Sequence, residues 1–185
     1  MGKIVLFNMV SVDGLFSGPG GSLDWHHVGP EFDEFAAQQL DRADGLLFGR
    51  VTFQEMAAYW PTPFAVENDP VIAKKMNEIS KTVFSRTLEK VTWQNTCLVR
   101  SNSAEEARKL KEQVDKDLLI FGSANLARSL MRDGLIDEFR IMVNPLILGR
   151  GTPLFGGSGM RIDLKLMGTR CFENGNVLLS YVVTR

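Results

Sequence analysis

The segment Gly49-Arg50-Val51-Thr52, reached straight from the apolar run Gly45-Leu46-Leu47-Phe48, combines residue types that can hold a phosphate. Glycine at the end of a buried strand lets the chain turn without a side-chain clash, and the first amides of a following helix have no partner in their own ladder. Arg50 adds a charged fork and Thr52 a hydroxyl, which suits a dinucleotide pyrophosphate with a further phosphate on one ribose. Alone the pattern is weak, because glycine is common at strand ends and arginine is usually a solvated surface residue. Three further segments give it weight. Ser85-Arg86-Thr87 follows Thr82-Val83-Phe84, Gly122-Ser123-Ala124-Asn125-Leu126 follows Leu118-Leu119-Ile120-Phe121, and the glycine-rich stretch from Ser11 to Gly21 follows the first apolar run. Ligands of open α/β sheets sit outside the carboxyl ends of the strands, so these loops at one edge make a site, with the long one as a flexible lid.

Groups that could move a proton or hold a ring lie just beyond that lid. Glu31 and Asp33 open a helix and are the nearest carboxylates able to donate or relay a proton, although acidic residues in a first turn also simply complement the helix dipole. His26 and His27 are further candidates for the same role, although both read more simply as loop surface. Trp25 and Trp60 could stack on a flat heterocycle or serve as core. Thr52 and Ser123 are also ordinary N-cap types, a role compatible with phosphate binding.

The elements that must position these residues alternate through the first two-thirds of the chain. Strands are expected at Lys3 to Met9, Asp44 to Gly49, Lys81 to Ser85, Thr92 to Arg100 and Leu118 to Phe121. Helices are expected at Pro30 to Arg42, Val51 to Tyr59, Pro70 to Ile79 and Ala124 to Arg132, with another opened by a Ser103/Glu106 capping box and running to about Val114. From Ile136 onward only strands and turns follow, at Glu138 to Val143, Leu164 to Phe172 and Asn176 to Thr184, with Asn174-Gly175 as a hairpin turn. The pattern is an α/β sheet with parallel crossovers first and antiparallel strands last, in a single domain over residues 1–185.

Composition narrows the partners. A net charge of -1 and a pI of about 6.1 provide no basic field for nucleic acid or an anionic membrane. The longest apolar stretches are strand-sized, and the start Met1 to Phe7 is too short for a signal peptide. The two cysteines, Cys97 and Cys171, cannot make a disulfide framework and no Cys/His set has metal spacing, so a reducing cytoplasm and no metal are expected.

The order of these motifs resembles the dihydrofolate reductase fold, and more closely the branch containing the reductase domain of bacterial riboflavin biosynthesis. The resemblance runs nearly end to end, through Ser11 to Gly14, Asp44 to Phe53, Lys81 to Leu88, Phe121 to Leu126, Gly134 to Glu138 and Pro145 to Phe155. It implies a mixed sheet with helices on both faces, NADPH as cofactor and a pyrimidine or pterin-like substrate, in a homodimer. By the same resemblance Arg50 and Ser85-Arg86 hold the 2'-phosphate, Thr52 and the turn Gly122, Ser123, Ala124, Asn125, Leu126 take the pyrophosphate, and Gly49 and Val51 belong to the same cofactor-binding set. Met9, Val10, Leu15 and Phe16 face the nicotinamide. Hydride transfer draws on the cofactor, so the chain need only orient the rings, exclude water and supply a proton. The pair Gly122-Ser123 matches the riboflavin branch better than the paired glycines of true dihydrofolate reductases. Two alternatives remain open: dihydrofolate reductase proper, and a nucleotide-binding protein without turnover.

Overall fold

In the computed structural model residues 2–156 and 159–184 are described; Met1 and Arg185, the ends of the expected domain, lie outside them, as do Gly157 and Ser158. The opening apolar run becomes β1 (Ile4–Ser11), buried at every position because it has parallel partners on both sides. The chain continues through β2 (Leu15–Ser17), α1 (Pro30–Asp41), β3 (Ala43–Gly49), α2 (Arg50–Tyr59), α3 (Pro63–Asn68) and α4 (Pro70–Glu78). Then come β4 (Ser80–Phe84), β5 (Thr96–Val99), α5 (Ser103–Gln113), β6 (Asp117–Phe121), α6 (Ala124–Arg132) and β7 (Glu138–Asn144). The last elements are β8 (Thr152–Pro153), β9 (Leu164–Cys171) and β10 (Val177–Val183).

One sheet runs in the order β5-β4-β3-β6-β1-β7-β10-β9, parallel from β5 to β7 and antiparallel through β10 and β9. Helices cover both faces. On one, Leu126, Ala127 and Leu130 of α6 and Ala104 and Ala107 of α5 pack on Ile4, Leu6 and Ile120. On the other, Leu40 of α1, Phe53 of α2 and Met76 of α4 pack on Val5, Leu46, Phe48 and Val83. Leu130 is wholly buried, and a leucine in that state contributes about 1.5–3 kcal/mol. That packing fixes α6, whose first turn faces the carboxyl edge of the sheet.

Several expectations need correction. β7 belongs to the parallel set, because α6 carries the chain back across the sheet before it begins. The helix expected to be capped by Ser103 is capped by Asn102, whose Oδ1 accepts from the amides of Ala104 (3.1 Å) and Glu105 (3.4 Å). β5 begins late because Trp93 turns into the core and Asn95 adopts a left-handed φ of 57°. The glycine-rich loop after β1 is no free lid. Its β2 pairs with β8, and the Asp13 carboxylate accepts from the amides of Leu148 (3.1 Å) and Gly149 (2.8 Å), stitching it to the loop after β7. The hairpin at Asn174-Gly175 forms as expected, with Gly175 at φ 88° donating to the carbonyl of Phe172.

Candidate functional site

The carboxyl ends of β1, β3, β4 and β6 open onto two adjoining depressions that share Gly49, Arg50, Asn125 and Leu126. The first is a cavity of about 650 Å³ between the sheet, α1, α2 and the loop after β2. The second lies over β4 and is bordered by Ser85, Arg86, Arg100 and the start of α5. Electrostatics divide them. The second carries three arginines, Arg50, Arg86 and Arg100, against the single acid Asp133. The first carries Asp33, Glu55 and Asp69 against Arg50 and Arg128. Arg128 is already committed to the carbonyls of Pro153 and Leu154.

The ridge between the depressions is built by two hydroxyls. Ser123 Oγ accepts the Gly49 amide at 2.9 Å, and Thr52 Oγ1 accepts the Ser123 amide at 3.0 Å. Neither therefore acts as a helix cap: α2 begins at Arg50 with Gly49 at its N-cap and no side-chain cap, and Ser123 leaves the first-turn amides of Ala124, Asn125 and Leu126 uncapped at the depressions. Thr52, expected on a phosphate, meets the neighbouring loop first, although its hydroxyl proton remains available to donate. Gly122 and Ser123 are both left-handed, with φ of 63° and 55°. For serine this conformation is unusual and costs free energy, and such strain concentrates at binding turns.

Most of the expected cofactor residues come together here. Gly49, Arg50, Val51, Thr52, Gly122, Ser123, Ala124, Asn125, Leu126, Met9 and Phe16 border the large cavity, and Ser85 and exposed Arg86 border the second depression. Val10 and Leu15 do not. Val10 is buried in the core under α6, and Leu15 is turned into the β2–β8 pair, where its amide donates to Ser11 Oγ at 3.1 Å.

Of the expected ring-binding tryptophans, Trp60 borders the cavity and Trp25 does not. Trp25 is buried in its own loop, with Nε1 donating to the Ser22 carbonyl. The two expected proton carriers also separate. Glu31 turns to the hairpin, accepting from Arg170 (3.0 Å) and from the Glu173 amide (2.9 Å), and these partners hold its carboxyl below the usual range. Asp33 borders the cavity, and burial together with the nearby Asp69 charge pushes its carboxyl up. Asp69 accepts from Tyr59 Oη at 2.8 Å.

At the cavity one residue departs from its expected surface position and another was not foreseen. His26, read as surface, borders it with Nε2 buried; its ring stands edge-on to Trp25 at 4.5 Å, and burial lowers its pKa to about 4. Asn8 borders it from the middle of β1. An amide inside the otherwise apolar run Ile4 to Val10 was the signal for it. Among the described residues no group of three or more His, Cys, Asp or Glu side chains could hold a metal, and no helix is long and apolar enough to cross a membrane.

Residues 2–178 match the family described as the RibD C-terminal domain. The chain is 34% identical over 97% of its length, and 94% of the relative's, to the uncharacterized protein YyaP of Bacillus subtilis (strain 168). Among solved structures it is similar to a Shewanella sp. PV-4 protein assigned to riboflavin biosynthesis, with a TM-score of 0.77, 22% identity and 99% of both chains covered. A dihydrofolate reductase from Enterococcus faecalis, complexed with NADP(H) and RAB-propyl, superposes with a TM-score of 0.66, 15% identity and coverage of 99% and 97% of the two chains. These last two likenesses establish the fold.

Proposed function

Because the chain belongs to the family of the RibD C-terminal domain, we propose that it is an NADPH-dependent reductase of a small planar heterocycle, a pyrimidine or pterin-like ring, working as a single domain in a cytoplasmic homodimer. The observation that carries the reading is the pair of adjoining depressions of opposite charge balance, joined at Gly49, Arg50 and the first turn of α6. The residues present fit the cofactor. Arg50 and Arg86 offer guanidinium forks to a 2'-phosphate, the uncapped amides of α6 suit a pyrophosphate, and left-handed Gly122 lets backbone come close to it. Met9 and Phe16 then line the space for the nicotinamide, with Trp60 and the apolar wall of α1 and α2 left for the substrate ring.

Bound NADPH supplies the hydride. The chain's own share would be to hold the two rings together in the cavity away from water and to hold a proton at Asp33, whose raised pKa keeps more of it protonated near neutrality than an exposed carboxylate would be. Asp33 in the cavity also favours dihydrofolate reductase proper as the second reading, since a carboxylate can orient an amino-bearing ring. The test is incubation of the protein with NADPH and a panel of pterins, aminopyrimidines and small carbonyl compounds, followed at the reduced-nicotinamide absorbance. Consumption dependent on a pyrimidine or pterin supports the reading. Binding of NADPH without consumption by any panel member favours a nucleotide binder.

A further inference from the structure

Buried polar side chains in this fold mostly find partners. The ammonium of wholly buried Lys81 donates to the carbonyls of Met76, Asn77 and Ile79. Asn144 Oδ1 accepts the His27 amide, and Asn176 Nδ2 donates to the His27 carbonyl. Against that background Asn8 stands out. It is 4% exposed, and its Nδ2 has no hydrogen-bond partner. His26 Nε2 is likewise buried without one. Both residues border the same cavity, whereas Asn176, whose Oδ1 is also unpartnered, does not.

A buried polar atom left unpaired is costly, so two of them at one cavity, Asn8 Nδ2 as a donor and His26 Nε2 as a donor in the tautomer that carries its proton there, point to a ligand that satisfies them. The groups are neutral. An amide carries no charge, and His26 is unprotonated near neutral pH because burial lowers its pKa to about 4. They are therefore unsuited to a phosphate or carboxylate, which would seek a cation, and suited to an uncharged acceptor. We propose that Asn8 Nδ2 and His26 Nε2 form a polar subsite of the cavity for a neutral carbonyl oxygen or ring nitrogen, making both residues specificity determinants. The inference rests on the cofactor and heterocycle reading above. The acceptor has two possible sources, the carboxamide of the nicotinamide and a carbonyl of the substrate ring.

The test uses the variants Asn8→Leu and His26→Phe, which keep shape and delete the polar atom. Calorimetry measures NADP+, 2'-phospho-ADP-ribose, which lacks the nicotinamide, and 5-aminouracil in the presence of NADP+. Loss of about tenfold or more for NADP+ with 2'-phospho-ADP-ribose unchanged assigns the acceptor to the carboxamide. The same loss confined to 5-aminouracil assigns it to the substrate. In either case the unliganded thermal midpoint of Asn8→Leu stays level or rises, since an apolar side chain replaces an orphaned donor. Affinities of both variants within about twofold of wild type for every probe overturn the subsite. So does a fall of several degrees in the unliganded midpoint of Asn8→Leu, which would reveal a structural hydrogen bond. Wild type that binds none of the three probes sinks the cofactor reading and the subsite together, whereas intact wild-type binding with unaltered variants sinks the subsite alone.

Discussion

Replacing Gly122 by valine tests the turn between the two depressions. Gly122 has φ 63°, and a Cβ there would lie 3.2 Å from Thr52 Cγ2 and 3.3 Å from Thr52 Oγ1. Holding a β-branched residue left-handed costs about 1–3 kcal/mol. Pushing Thr52 aside breaks the bond its Oγ1 accepts from the Ser123 amide at 3.0 Å, a loss of about 1 kcal/mol. The sum, roughly 2–4 kcal/mol, corresponds to a fall in thermal midpoint of about 5–15 °C for a chain of this size. A typical domain survives that loss. Gly122→Val is therefore expected to fold, to melt early by circular dichroism, and to lose calorimetric binding of NADPH and NADH alike, because the displaced turn is the proposed pyrophosphate seat for both. Gly122→Ala meets the same contact without the branched carbon and falls between. A Gly122→Val protein that melts within about 2 °C of wild type and binds NADPH with wild-type affinity would show that this turn is neither strained by the branched side chain nor part of the cofactor site.

Arg50→Ala and Arg86→Ala should each weaken NADPH by about tenfold or more at low salt and leave NADH nearly unchanged, measured by calorimetry; equal losses for both nucleotides would make the arginines structural. Asp33→Asn should slow turnover by about 10²-fold while NADPH affinity holds, whereas Glu31→Gln, which is engaged with Arg170 and Glu173, should stay within a few-fold of wild type. The Asp33 carboxyl is raised in the folded state, so its charged form opposes folding above that pKa and its protonated form does not. Asp33→Asn should thus raise the melting midpoint at pH 7, and the gain should shrink as pH falls through the carboxyl's pKa. Lys81→Ala removes the donor from three carbonyls around the end of α4 and a buried stem, and should cost about 2–4 kcal/mol in urea unfolding.

Much of this architecture is legible in the residues themselves. Parallel strands buried on both faces read as apolar runs, as at Ile4 to Met9 and Leu118 to Phe121, and proline opens α1 and α4 where expected. Short elements are not legible. β2 and β8 carry only three and two residues and exist because the loops holding them are pinned by Asp13, a long-range bond that no local pattern announces. At the site, the residues at strand ends gather at two adjoining depressions because the carboxyl edge of a parallel sheet brings together the loops that follow its strands. Side-chain direction is harder. Glu31 and Asp33 lie two positions apart on α1, so one meets the hairpin and the other the cavity, and only the packing of β9 and β10 decides which. Trp25 and His26 are adjacent and both turn inward: the tryptophan is buried in its own loop, and Nε2 of the histidine expected at the surface is buried at the cavity.

The most direct measurement is a crystal structure of the protein with NADPH. The adenosine 2'-phosphate is expected between Arg50 and Arg86, the pyrophosphate at the first turn of α6 beside Gly122, and the nicotinamide in the cavity bordered by Met9 and Phe16. A cofactor bound elsewhere, or one whose pyrophosphate avoids α6, would contradict it.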